Sequence, residues 1–316
     1  MSDVASDKVQ ATAKFVLEQL EQHRQSHNVN IDTHKVRPLV VGVQGPQGAG
    51  KSHLTGLLPA YLSSAPFNLT CASVSLDDLY LPYDKMTRLG RNHPDNKLLQ
   101  GRGQPGTHDL LLGRQILEKL SNINGSSNKA VEIPIYDKSL HAGLGDRTGD
   151  TVKVIAPIDI VIFEGWMNGF HSLPTDTLDQ WYKEAQQDPV AFSQARKLDY
   201  QEPFFVQHSL DSLKEVNDML GQYERDLWTR IDCFIEMRPV EMGYVWQWRL
   251  QQEHNMMAQN GGVGMTDEQV KDFIARYMPG YELFLDGIER ADAPWHSKGL
   301  RLVIGQQREI VATETF

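Results

Sequence analysis

The eight residues Gly45-Pro46-Gln47-Gly48-Ala49-Gly50-Lys51-Ser52 satisfy every required position of G-x-x-x-x-G-K-[ST], and they follow the apolar run Leu39-Val40-Val41-Gly42-Val43. Such a segment cradles phosphate. Glycines at 45, 48 and 50 permit backbone turns that a Cβ forbids, so successive N–H groups can point inward at a β-phosphate. Lys51 then bridges the β- and γ-phosphates, Ser52 offers its hydroxyl to Mg²⁺, and the helix beginning near Gly50 aims its positive end at the anion. With His53 added, residues 45 to 53 form the expected ATP-binding set. Leu54, Leu57 and Leu58 follow at helical spacing, which is the context the motif requires.

Phosphate binding alone does not define a reaction. Transfer to a hydroxyl needs an acid that orients or deprotonates the acceptor, a second acid that organises Mg²⁺, and cations where charge spreads over the transferring group. Asp77 ends the next apolar run and is the expected base; Asp78 faces the other way if the strand pleat persists, and a plain turn-capping role for the pair is the alternative. Glu164 closes Ile160-Val161-Ile162-Phe163 and is placed to hold Mg²⁺ through water, beside Ser52 and Asp77. Arg249 lies on a helix near a glycine-rich hinge and is read either as a lid arginine or as a helix charge packed beside Trp246 or Trp248. His108, His141 and His254 lack metal-ligand spacing.

An acceptor that itself carries a carboxylate would need local cations, because the chain has a formal net charge of −10. Arg102, Lys138 and Arg147 lie in the two irregular loops after the motif, and an arginine can grip a carboxylate with two parallel hydrogen bonds. The competing reading gives these cations to ATP phosphates or to Asp137 and Asp146. Asp78, Tyr80 and His108 complete the expected acceptor set.

The elements that must position these groups read as alternating strands and helices. At 316 residues, with 40% hydrophobic and 23% charged, the chain can bury one large α/β core. Residues 8 to 27 form an amphipathic helix with no assigned chemistry. Strand 37–43, helix 50–63 and strand 70–76 make a βαβ unit. Residues 81–107 and 137–150 are irregular, glycine-punctuated acceptor loops. Between them lie a helix capped by Thr107 or His108 and a strand, 131–136, that Pro134 marks as an edge. Residues 158–164 are apolar enough for a strand buried on both faces, with Glu164 at the carboxyl end where ligands sit in open α/β sheets. A mainly helical insertion covers 171–230, strand 231–237 and helix 245–257 follow, and Thr266 to Gln269 begin a capped helix. Residues 300–304 and 309–311 close the sheet.

Composition excludes some classes. No basic stripe supports general nucleic-acid binding, and no window of about 18 apolar residues supports a membrane span. The first seven residues lack a leader pattern, so cytoplasmic residence is expected. Cys71 and Cys233 read as buried reduced thiols, and the sequons at Asn68 and Asn124 as coincidence.

The motif series resembles the D-glycerate 3-kinase group of the phosphoribulokinase/uridine kinase family. It comprises the phosphate loop, Ser75-Leu76-Asp77-Asp78-Leu79-Tyr80-Leu81, Leu99-Gln100-Gly101-Arg102-Gly103-Gln104-Pro105-Gly106-Thr107-His108-Asp109, Tyr136-Asp137-Lys138-Ser139 with Gly145-Asp146-Arg147, and Phe163-Glu164-Gly165-Trp166. It resumes at Trp246 to His254 and Gly264 to Val270. The resemblance implies that Asp77 is the catalytic base and Glu164 the Mg²⁺-linked acid. His53 stands where relatives often have Thr or Ser, and Leu79 where they have Phe. The expectation is therefore a P-loop, three-layer α/β/α kinase with a mostly parallel sheet and a helical lid region. Residues 1–36 form a packed N-terminal helix and 37–316 one domain. D-glycerate is the leading acceptor, with a nucleoside, a pantothenate-like compound or a non-transferring ATP-binding regulator as alternatives.

Overall fold

The structure is a computed structural model and describes residues 6–27, 36–125, 127, 129–259, 261–262 and 264–316. The residues read for a leader at 1–5, Ser126 of the second sequon, and Asn128 and Val263 of two expected turns lie outside that set. Helix α1 (Asp7–Ser26) buries Val9, Ala13, Val16 and Leu20 on one face, as their spacing predicts. Strand β1 (Leu39–Gln44) is buried at all six positions. Helix α2 (Lys51–Ser63) starts directly after the phosphate loop, and strand β2 (Cys71–Ser75) follows.

The first expected acceptor loop contains a helix, α3 (Tyr83–Asn92), and a short 3-10 turn, Lys97–Leu99. Helix α4 (Leu110–Ser121) is capped by Asp109, whose side chain accepts from the Leu112 N–H, so neither Thr107 nor His108 is the cap. An aspartate two bonds from its backbone reaches that N–H as well as a hydroxyl does. Strands β3 (Ala130–Asp137) and β4 (Asp146–Ile155) pair antiparallel in a ribbon of their own, so the second expected loop shrinks to the tip between them. Pro134 sits in this two-stranded ribbon beside a register shift, which its missing N–H allows.

The main sheet is completed by β5 (Ile160–Gly165), β6 (Cys233–Pro239), β7 (Gly299–Ile304) and β8 (Ile310–Thr315), in the order β2-β5-β1-β6-β7-β8. All neighbours are parallel except β7 and β8. The expected βαβ unit is therefore interrupted: β5 lies between β1 and β2. The reason is visible in the side chains. Ile160 to Phe163 are fully buried and suit an interior position, whereas β2 exposes Ser73 and suits an edge. Residues 171–230 are mainly helical, with helices Thr175–Gln187, Pro189–Ala195 and Leu210–Asp226.

Candidate active site

The cradle is built as its glycines require, with one exception. Gly48 and Gly50 adopt φ of 81° and 90°, where a side chain would be strained. Gly45 has no such angle; a Cβ there would stand 3.1 Å from Met237 Cβ, so close packing against β6 selects it instead. Leu54 makes the first intrahelical bond, to the Gly50 carbonyl at 3.0 Å. The N–H groups of Lys51, Ser52 and His53 thus precede the helical ladder and face outward for an anion. Ala49 donates instead to Pro46 at 3.2 Å, which closes the turn. Gln47 accepts a hydrogen bond from the Tyr281 hydroxyl. His53 and Ser52 are exposed at the start of α2.

Glu164 sits where β5 is in register with both Val43 of β1 and Ser75 of β2, at the carboxyl edge of the sheet. Lys51 forms an ion pair with it. The strand pleat does not persist through the neighbouring acids: residues Leu76–Leu79 form a 3-10 turn, which Ser75 caps by accepting from the Asp77 N–H. The turn separates the two carboxylates all the same. Asp77 receives the Lys138 ammonium at 2.5 Å, while Asp78 accepts the Tyr136 backbone N–H at 3.2 Å.

Their titration diverges with their surroundings. Burial opposes ionisation of Asp77, but Lys138 and then Lys51 outweigh it and hold the carboxyl below the usual range. Burial, reinforced by Asp77 and Glu164, pushes Asp78 upward against the Tyr136 hydrogen bond. The two adjacent acids thus stand in opposite environments, Asp77 beside a cation and Asp78 on a backbone N–H.

The acceptor loops meet around these acids. Arg102 donates to the Gly143 and Leu144 carbonyls at 2.6 and 2.7 Å, fastening its loop to the ribbon tip that carries Lys138. Trp166, just past Glu164, donates to the Gly103 carbonyl at 3.1 Å, and Gly103 at φ 133° leaves room for Tyr277, whose hydroxyl would be 2.8 Å from any Cβ. Beneath Asp77, Tyr80 and His108 stack at 4.3 Å. His108 is 4% exposed; burial pushes it down to about 3, so it is neutral, and its Nδ1 hydrogen-bonds the Tyr223 hydroxyl at 2.7 Å. His108 is thus a buried, hydrogen-bonded floor under Tyr80.

Two expected assignments are corrected. Arg147 does not face the acceptor: it donates to the Tyr80 carbonyl at 3.1 Å and to Asp109 at 3.3 Å, bracing the 3-10 turn against the cap of α4. Arg249 does not stand free as a lid group, because Glu253 takes its guanidinium at 2.7 Å and Phe273 lies beneath it at 5.2 Å. Asp77 is paired with Lys138 as Glu164 is paired with Lys51, so both acids of the expected metal set carry a lysine partner. Of the remaining histidines, His141 stacks on Tyr83 and meets Asp146, and His254 meets Asp267, both in local pairs. Cys71 and Cys233 are free thiols on separate strands, and Cys71 is only partly buried.

Tyr223 and Tyr277 were not singled out from the sequence. Leu213, Val216, Leu220 and Tyr223 do recur at helical spacing on Leu210–Asp226, so the core-facing side of that helix was readable, but not what its tyrosine would meet.

No family model matches the chain. A D-glycerate 3-kinase structure from Cryptococcus neoformans is similar over 99% of this chain and 100% of its own, with 50% identity and a TM-score of 0.89. The probable ATP-dependent kinase TDA10 of Saccharomyces cerevisiae is 31% identical over 314 residues, 98% of each chain. The chloroplastic D-glycerate 3-kinase of Arabidopsis thaliana is 35% identical over 257 residues, 80% of this chain. Those residues make up 49% of the plant protein, so the chain spans about half that relative's length.

Proposed function

We propose that this chain, which belongs to the family of P-loop kinases that includes D-glycerate 3-kinase and TDA10, transfers the γ-phosphate of ATP to a hydroxyl of D-glycerate. The observation that carries this reading is the Asp77–Lys138 pair at the sheet's carboxyl edge, an ionised carboxylate and an ammonium side by side. Asp77 accepts the proton of the acceptor hydroxyl as its oxygen attacks the γ-phosphorus and the bond to the β-phosphate oxygen breaks, releasing ADP. Lys51 exchanges Glu164 for the β- and γ-phosphates and balances the charge that gathers there. Lys138 has three N–H donors and uses one on Asp77; the others, with the unused donors of Arg102, face the acceptor's carboxylate. Tyr80, on its His108 floor, limits the depth of the pocket.

The donor set also fits Mg²⁺. Among the described residues no group of three or more His, Cys, Asp or Glu could cage a metal. Mg²⁺ keeps its waters and takes phosphate oxygens plus one or two protein groups, so the Ser52 hydroxyl and Glu164 suffice. When bound, the ion would neutralise charge on the β- and γ-oxygens. Among the described residues no helix is long and apolar enough to cross a membrane, and the free thiols support a reducing, cytoplasmic setting.

The test is ATP consumption with D-glycerate, glycerol, uridine and pantothenate in parallel, with mass detection of the product. Phosphoglycerate as the dominant product is the expected result. Equal turnover of glycerol would remove the carboxylate from the reading, and preference for uridine or pantothenate would replace the acceptor.

A further inference from the structure

The strand order separates two sides of the cradle. Asp77 and Glu164 stand beyond β1 toward β2 and β5, so the γ-phosphate end of the nucleotide lies there. On the opposite side, beyond β6, the turn joining β7 to β8 folds back over the loop. Arg308 in that turn donates through Nε to the Gly48 carbonyl at 2.6 Å and through Nη1 to Gln251 at 2.7 Å. Its backbone is held at φ 65°, the left-handed position of the short hairpin turn that the Arg308 N–H closes on the Gly305 carbonyl at 2.9 Å. The Trp248 indole supports the guanidinium from below at 5.7 Å and itself donates to the Gln306 carbonyl at 2.7 Å.

A second cation arrives from α1, the helix to which the sequence assigns no chemistry. The Lys8 ammonium stands 3.5 Å from where a Gly50 Cβ would be, and nothing else lies within 4 Å of that point. Gly50 is the last glycine before Lys51. Among the described residues Lys8 makes no ion pair, and burial followed by the charge of Arg308 pushes it below the usual lysine range, with Glu309 opposing. Two cations held near each other beside a phosphate loop repel until an anion comes between them.

We propose that Lys8 and Arg308 bind the α-phosphate and adjoining ribose of the nucleotide, which makes the first turn of α1 part of the donor site. The inference rests on ATP as the donor. Lys8 then adds a charge-assisted contact to those of the loop's own N–H groups, which are dipoles without a full charge. Arg308 acts doubly, as a ligand and as the brace of Gly48.

The experiment is calorimetric titration of the full chain with Mg-ATP, without acceptor, in the parent, Lys8→Met and Lys8→Arg, beside melting curves and steady-state kinetics. The parent's own affinity tests the donor reading, and the ratio of variant to parent tests this one. Lys8→Met is expected to weaken ATP about tenfold and raise its KM in step, a loss on the order of 1.4 kcal/mol. Its kcat at saturating ATP and its acceptor KM should stay within about twofold, and Lys8→Arg should recover most of the affinity. Unchanged ATP affinity in Lys8→Met overturns the proposal, whether the melting temperature holds or falls; a fall would mean that Lys8 only fastens α1 to Glu309. If Lys8→Met does not fold, Lys8→Gln, which keeps a polar end, is read by the same ratio.

Discussion

The two ends of the cleft are made in opposite ways. The proposed donor end is main chain: the residues from Gly45 to His53 are contiguous, two of their glycines take left-handed angles, and the N–H groups at the start of α2 are the proposed phosphate ligands. The proposed acceptor end is side chains from separated segments, with Asp77 from the turn after β2, Arg102 from the loop before α4 and Lys138 from the ribbon tip, and with Tyr277 packed on Gly103 beside them. A contiguous main-chain site tolerates substitution wherever no Cβ intrudes. A site assembled from distant side chains depends on the braces between segments, here Arg147, Trp166 and Tyr223, as much as on the groups that face the ligand.

That contrast can be broken by experiment. The donor end has one side chain that must reach the transferring phosphate, so Lys51→Ala should lower kcat about 1,000-fold. Its melting temperature should hold, because Lys51 is not a core residue; parent-rate transfer by the variant would end the kinase reading of the loop. At the acceptor end, Asp77→Asn should cost on the order of 100-fold in kcat with ATP affinity unchanged, and Asp78→Asn less than about tenfold. Equal or reversed losses would move the base to Asp78.

The smallest effect sharpens the comparison most. Lys138 is the chief influence holding Asp77 below the usual carboxylate range, against burial that raises it. A depressed carboxyl keeps its base form as the pH falls, so the parent's kcat/KM should decline only at acid pH. Lys138→Met removes that influence and leaves burial, so the acid limb of the profile should move to higher pH. Glycerate KM should rise in the same variant. A profile that stays in place would show that Lys138 serves the acceptor alone.

Local pattern was enough for the cradle, because a phosphate loop is a local object whose glycines, lysine and serine are neighbours along the chain. The strands were equally legible: Ile160 to Phe163 announce a doubly buried strand, and the capping box at Thr266 and Gln269 forms as its residue types require. Helix α3 within residues 81–107 was hidden because Gly90 and Pro94 read as loop punctuation while packing of Met86 and Gly90 decided the matter.

Arg102 and Lys138 come together near Asp77, whereas Arg147 turns to Tyr80 and Asp109. Which of Arg102, Lys138 and Arg147 faces a ligand depends on what each meets across the fold, and charge alone gives all three the same claim. The chain's own residues determined a phosphate-loop pattern on a parallel sheet, with one acid near the carboxyl end of β5 and one in the turn just past β2. Only the tertiary structure decided that β5 separates β1 from β2, that Arg147 is a brace, that Lys138 meets Asp77 and not Asp78, and that Lys8 from the first helix reaches Gly50. Backbone preference acts between neighbours in sequence, whereas burial and charge pairing act between neighbours in space, and the second kind of neighbour exists only once the chain has folded.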